Sequence, residues 1–182
     1  MHKKLGQLCF SPSDLTRYTE SPFASWMDRF AIEQPEYTPP KDPVDPLIGT
    51  LVKQGYVHED AQQARFESQG LVVVKIDGGQ SQEAHAKTVA SMQQGVDVIV
   101  QARLEHDRFA GYADFLVKVS HPAGQPPSHL GDWHYEVWDT KLSRQVKSTF
   151  VVQLCCYAEM LAAEQGCLPT YITVALGDGS QQ

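Results

Sequence analysis

The chain has 182 residues, 42% of them hydrophobic, with a net charge of -7. That length suits one domain with a real core, and the hydrophobic content argues against a disordered chain. No apolar run approaches the ~18 residues needed to cross a bilayer, and Met1-His2-Lys3-Lys4-Leu5-Gly6 is not a signal peptide, so the expected location is the cytoplasm. The negative charge excludes a surface coated in basic residues. It leaves room for nucleic-acid binding through a local basic strip beside clustered carboxylates.

Taken in chain order, Ser11-Pro12-Ser13-Asp14 has the chemistry of a helix start, and the amphipathic stretch from Leu15 to Phe30 is broken near Pro22. Five prolines between Pro35 and Pro46 predict a surface loop. A long helix is expected from Thr50 to Gln69, where Leu51, Gly55, His58, Gln62 and Phe66 recur at helical spacing, with Gly70 ending it. Leu71 to Ile76 is a short buried strand closed by Asp77-Gly78-Gly79. Ser81 caps a helix that runs to about Gln94, where Gly95 stops it.

Three strands follow: Val96 to Glu105, Phe109 to Ser120 and Trp133 to Leu142. His106-Asp107-Arg108 makes a hairpin turn between the first two, and the proline- and glycine-rich passage His121 to Asp132 is a loop before the third. Thr149 to Gln165 is a helix ended by Gly166, and Thr170 to Leu176 is the last strand. This order predicts an α/β sandwich with a mixed sheet. A last strand at or near the sheet edge usually has more cover, so the chain is expected to be cut from a longer protein. Cys9, Cys155, Cys156 and Cys167 show no CxxC pair and no zinc-ligand spacing, and are expected to be reduced and mostly buried thiols.

The residues that carry chemistry lie on these elements. Asp139 and Lys141 are two apart on a strand and share a face. A carboxylate there can hold a divalent cation, and the adjacent ammonium can polarise attacking water. The same pair also suits an ordinary surface ion pair. Asp114 interrupts the apolar strand Gly111 to Val117, which is costly unless it is paired, bound to metal or facing water. His58 and Glu59 sit on the long helix. Gln153 and Tyr157 are four apart and share a helix face. Trp133, Tyr135 and Trp138 are read as packing rather than as platforms for bases. Glu136 is three residues from Asp139 and faces away from it on a regular strand.

The ordered set of a histidine on a first helix, an aspartate on a strand, D-x-K on the next strand and Q-x-x-x-Y on the next helix resembles the RecB-like branch of the PD-(D/E)XK nucleases. The likeness covers Leu8 to Gly179. Ser11-Pro12-Ser13-Asp14-Leu15 and Ser21-Pro22-Phe23 also resemble that family's opening helix. The resemblance implies a restriction-endonuclease-like core, with a central mixed β-sheet flanked by helices, and a Mg²⁺- or Mn²⁺-dependent deoxyribonuclease acting in DNA repair, recombination or processing. It implies metal ligation by His58, Asp114, Asp139 and the carbonyl of Thr140. Lys141 would be the catalytic lysine, acting with Asp114 and Asp139, while Gln153 and Tyr157 support the site and contact DNA. Glu59 and Glu136 are reserve candidates for a second metal or for supporting contacts. Lys141, Arg144 and Lys147 form a basic run suited to phosphate contact or to a solvated loop. Implied partners are single- or double-stranded DNA and a helicase domain or subunit, with no membrane. Iron–sulfur relatives carry one cysteine near the opening helix, where this chain has Ser21-Pro22-Phe23, and three after the core, where it has no cysteine cluster, so an iron–sulfur cluster is not expected. A catalytically silent nucleic-acid-binding module of the same fold is the alternative, and a metal-dependent hydrolase of small molecules a further one.

Overall fold

A computed structural model describes residues 1–182 apart from 41, 42, 44, 79, 80, 123, 125 and 126 and the side chain of residue 81. Parts of both expected proline-rich loops, Gly79 of the expected turn and the Ser81 cap therefore lie outside the described residues. The fold is α/β, built on a five-stranded mixed sheet with strand order β3-β4-β5-β6-β7. These strands are β3 (Val73–Lys75), β4 (Val98–His106), β5 (Phe109–Ser120), β6 (Trp133–Lys141) and β7 (Ile172–Leu176). β3 and β4 are parallel, β4-β5 and β5-β6 are antiparallel, and β6 and β7 are parallel.

Chirality places the helices. Two parallel crossovers, β3 to β4 through α4 (Ser81–Gln93) and β6 to β7 through α5 (Ser148–Gln165), step in the same direction across the sheet between strands of the same orientation. Right-handed crossovers must then put both helices on one face. The structure agrees: His85 of α4 meets Glu164 of α5 at 3.2 Å. Between them and the sheet lies the larger core, including Met92, Ile99, Leu104, Leu116, Tyr135, Val137, Leu154, Met160 and Leu161. Gln165 closes its far end. Its buried amide accepts from Tyr135 N (2.8 Å) and donates to the carbonyls of Tyr135 and Cys167 (3.1 Å each).

The opposite face is covered by the C-terminal half of α3 (Pro46–Ser68), which buries Glu59, Gln62 and Phe66. Phe66 stands edge-on to Phe115 and Trp138 at 5.4 and 5.5 Å, beside Val98 and Val100. Trp133 and Tyr135 spend their polar tips on the carbonyls of Met92 and Val96, as packing aromatics do. α1 (Pro12–Glu20) packs on α5 and on β5, and α2 (Pro22–Glu33) packs on α1. Ser21 caps α2 by accepting from Ala24 N, so the break expected near Pro22 is a clean helix–helix corner.

Three expectations are corrected. The first residues form a hairpin, β1 (His2–Lys4) with β2 (Gln7–Cys9), turned at Leu5-Gly6 with both residues at positive φ. The long helix begins at Pro46 rather than Thr50, because Asp45 accepts from Leu47 N as N-cap and Pro46 sits in the first turn, where no amide is needed. None of the four free cysteines is fully buried. Cys155 is exposed because it lies with Ser148, Val151 and Glu159 on the outer stripe of α5. Among the described residues no helix is long and apolar enough to cross a membrane.

Gly111 marks the closest approach of α1, α5 and β5. A Cβ there would lie 2.8 Å from Pro12 Cδ and 2.9 Å from the Tyr157 hydroxyl. Gly111→Ala is expected to lower stability by about 1–3 kcal/mol in denaturant titration. An unchanged midpoint would show that the three elements slide apart freely.

Candidate active site

The site forms where the sheet loses its regular alternation. In β4, Val98 and Val100 pack on the α3 side, whereas Ala102 and Leu104 join the core under α4 and α5. In β5, Val117 and Phe115 face α3, whereas Ala113 joins the other core. A regular strand would keep each set on one face. The switch occurs where the register passes from Val100↔Phe115 to Ala102↔Ala113 without a ladder pair between Gln101 and Asp114. Gln101 takes φ +53 there, inside a strand. This kink frees Asp114 from the interior pattern that its neighbours obey.

Asp114 is gripped from β6: the backbone N and Oγ1 of Thr140 both donate to its Oδ2, at 2.8 and 2.7 Å. Next to it is Asp139, only 2% exposed. Its Oδ2 meets the Lys141 ammonium at 2.5 Å, an ion pair with Lys141 still 21% exposed. Lys141 also donates to Gln153 Oε1 of α5 at 3.2 Å and lies 5.4 Å from the centre of the Phe150 ring. One turn further along α5, the Tyr157 hydroxyl donates to the carbonyl of Tyr112 at 2.6 Å, fixing β5 two residues before Asp114.

The third acid comes from α3 and is Glu59, at 7% exposure. It accepts from Gln101 Nε2 at 2.7 Å. Val52, Gly55, Tyr56 and Glu59 form the helix wall of the hollow that holds Asp114, Asp139, Lys141 and Gln153. His58 does not join this hollow. Its Nε2 is 3.2 Å from the carbonyl of Ala175 in β7, and it lines an adjoining hollow with Thr140, Lys141, Lys147 and Phe150. The structure thus brings Glu59 rather than His58 to the carboxylates. Glu136 faces elsewhere and accepts from Tyr171 N at 3.2 Å, as its odd spacing from Asp139 requires. Thr140 acts on Asp114 through its donors. Lys147 is exposed and lines the adjoining hollow, its ammonium 5.8 Å from the Phe150 ring centre, whereas Arg144 is exposed and acts electrostatically on Asp178.

Electrostatically the cluster is short of positive charge. Burial, and then the Asp114 carboxylate, push the Asp139 carboxyl up to about 7 against the pull of Lys141. Burial raises Glu59 as well, with Asp114 adding to it and the Gln101 bond opposing it. Oxygen donors of this kind suit Mg²⁺ or Mn²⁺, and a divalent cation would relieve the repulsion between acids held this close. Among the described residues, no three His, Cys, Asp or Glu side chains already converge as a ligand set. The fit therefore lies in the donor chemistry and the unbalanced charge.

The acids make stability depend on pH. The folded chain holds a proton on Asp139 between the ordinary value of 3.8 and about 7. Its contribution to stability is fully present below the lower value and is lost as pH rises through the upper one. Without divalent cations, Asp139→Asn is expected to raise the thermal midpoint over the native chain by more at pH 8 than at pH 5. A difference that does not change with pH would show that the carboxyl is not perturbed.

Compared with protein-family models and with curated proteins, the sequence matches neither.

Proposed function

We propose that the chain is a metal-dependent nuclease with a restriction-endonuclease-like core, hydrolysing DNA phosphodiester bonds in the manner of the PD-(D/E)XK enzymes. The observation that carries this reading is the Lys141 ammonium, bracketed by Asp139 and Gln153 beside the Asp114–Asp139 pair. A structural ion pair needs one acid. A second and a third acid driven against it in a half-open hollow cost stability and suit a site that handles charge.

Glu59, Asp114 and Asp139 would hold Mg²⁺ or Mn²⁺, which when bound supplies Lewis-acid activation of water and of the phosphate. The remaining roles belong to the chain. Thr140 keeps Asp114 in place. Lys141 donates to the attacking water and meets charge developing on the phosphate, and Gln153 holds Lys141 toward that position. Tyr157 holds the strand that carries Asp114. Two further hollows adjoin the acids, one of about 420 Å³ lined by Lys75, Tyr56 and Tyr112 and one of about 500 Å³ lined by Lys147 and Phe150. The adjoining hollows make an open trough, with Lys147 at one end and Lys75 beside Asp60 and Asp77 at the other, a shape that suits a polymeric phosphodiester better than a small molecule. A helicase partner remains part of the proposal through the resemblance alone.

A catalytically silent DNA-binding module of the same fold is favoured by one observation, the absence among the described residues of a converged ligand set. Labelled single- and double-stranded DNA incubated with Mg²⁺ or Mn²⁺ separates the two. The native chain is expected to cleave only with metal, and Lys141→Ala to slow cleavage by about 10²–10³-fold while still binding Mn²⁺. DNA retention without cleavage by the native chain would mean the silent module.

A further inference from the structure

We infer that Gln101 is a positioning residue, held in a left-handed backbone conformation in mid-strand so that its amide can hold the Glu59 carboxylate at the acid cluster. The role rests on the nuclease reading, but its geometry does not. Gln101 has φ +53, a region that costs any residue with a Cβ and that strands do not otherwise use. Glutamine gains nothing there by itself. Asparagine, aspartate and glycine are the residues that tolerate such backbone, so the choice of side chain answers some other need.

The need is reach. The kink places Val100 and Gln101 in succession on the α3 side of the sheet, where an unkinked strand would send Gln101 into the core beneath α5. From there its Nε2 donates to Glu59 Oε1 at 2.7 Å. Glu59 lies between two hollows, one shared with Gln101 and Lys75, the other with Asp114 and Asp139. Without the amide, repulsion from Asp114 and attraction to Lys75 favour a carboxylate turned toward Lys75 and solvent, against the weaker repulsion of Asp60. Strain kept at one backbone position thus fixes an acid that its neighbours repel. Asp114, opposite Gln101 across the strand pair, is released from the regular alternation by the same kink, so one distortion serves two of the three acids.

The test compares Gln101→Gly, which accepts the left-handed backbone and removes the amide, in the native chain and in a Glu59→Ala background. The readouts are the metal-free thermal midpoint and Mn²⁺ binding by calorimetry. In the Glu59→Ala background, the glycine is expected to raise the midpoint by about 2–4 °C through relief of strain. In the native chain the gain is smaller or lost, because the bond to Glu59 goes with it. There Mn²⁺ binding weakens by about tenfold or more, and Gln101→Asn, which keeps an amide but is one methylene short, follows it. Equal gains in both backgrounds, a fall in the Glu59→Ala background, or native Mn²⁺ affinity in Gln101→Gly would each overturn the assignment. A native chain that binds no Mn²⁺ sinks the nuclease reading instead, and the two midpoints then decide Gln101 alone.

Discussion

Three acids held against one ammonium at a kink in the sheet are the constraint around which this structure is arranged. Asp139 is almost wholly buried, Asp114 touches its electrostatic field, and Glu59 closes in from the facing helix. Carboxylates in such a place drift apart or take up protons unless something holds them. Each is held by a different element. Two donors of Thr140 fix Asp114, the ammonium of Lys141 fixes Asp139, and the amide of Gln101 fixes Glu59. These anchors in turn need their own strands and helices placed, which Tyr157 and Gln153 do from α5.

Much of this was legible in the sequence because it depends on local pattern. The strand-turn-strand run through His106-Asp107-Arg108 appears as a hairpin with Asp107 at positive φ, and α5 ends at Gly166 in the left-handed conformation expected of a helix stop. Asp139 and Lys141 share a face because strand periodicity leaves no choice. Gln153 reaches Lys141 and Tyr157 braces β5, two contacts that their shared helix face allowed. The β1-β2 hairpin was not legible: its strands are three residues long and mostly polar, and its turn starts with leucine at φ +51. The start of α3 was masked by reading Pro46 as loop when it is a first-turn proline.

That Glu59 and not His58 lines the hollow of Asp114 and Asp139 has a sharper cause. Helical spacing allows both Gly55-His58-Gln62-Phe66 and Gly55-Glu59-Gln62-Phe66, since steps of three and four residues are equally good on a period of 3.6. Pattern alone cannot separate adjacent residues on a stripe that wide. Residue chemistry favoured histidine as a boundary residue or ligand, and glutamate only as a reserve for a second metal or a supporting contact. Packing reverses that order because Gln101 offers Glu59 an amide, and Gln101 can do so only through a backbone conformation that no propensity scale would assign to glutamine in a strand.

The net charge of -7 acquires a meaning in this setting. Under the proposed function, a polyanion meets a protein of net negative charge, and the trough around the acids offers it Lys75, Lys141 and Lys147 beside Asp60 and Asp77. The acids at the centre of that trough would repel a phosphate too. Under the same proposal, a divalent cation among them would turn the centre attractive. Under the proposed function, a site whose binding sign depends on a divalent ion would engage its substrate only when it is also loaded for chemistry. The burial of Asp139 holds its carboxyl above the ordinary range and Gln101 carries strain at φ +53, and both belong to the elements that bring Glu59, Asp114 and Asp139 to one hollow.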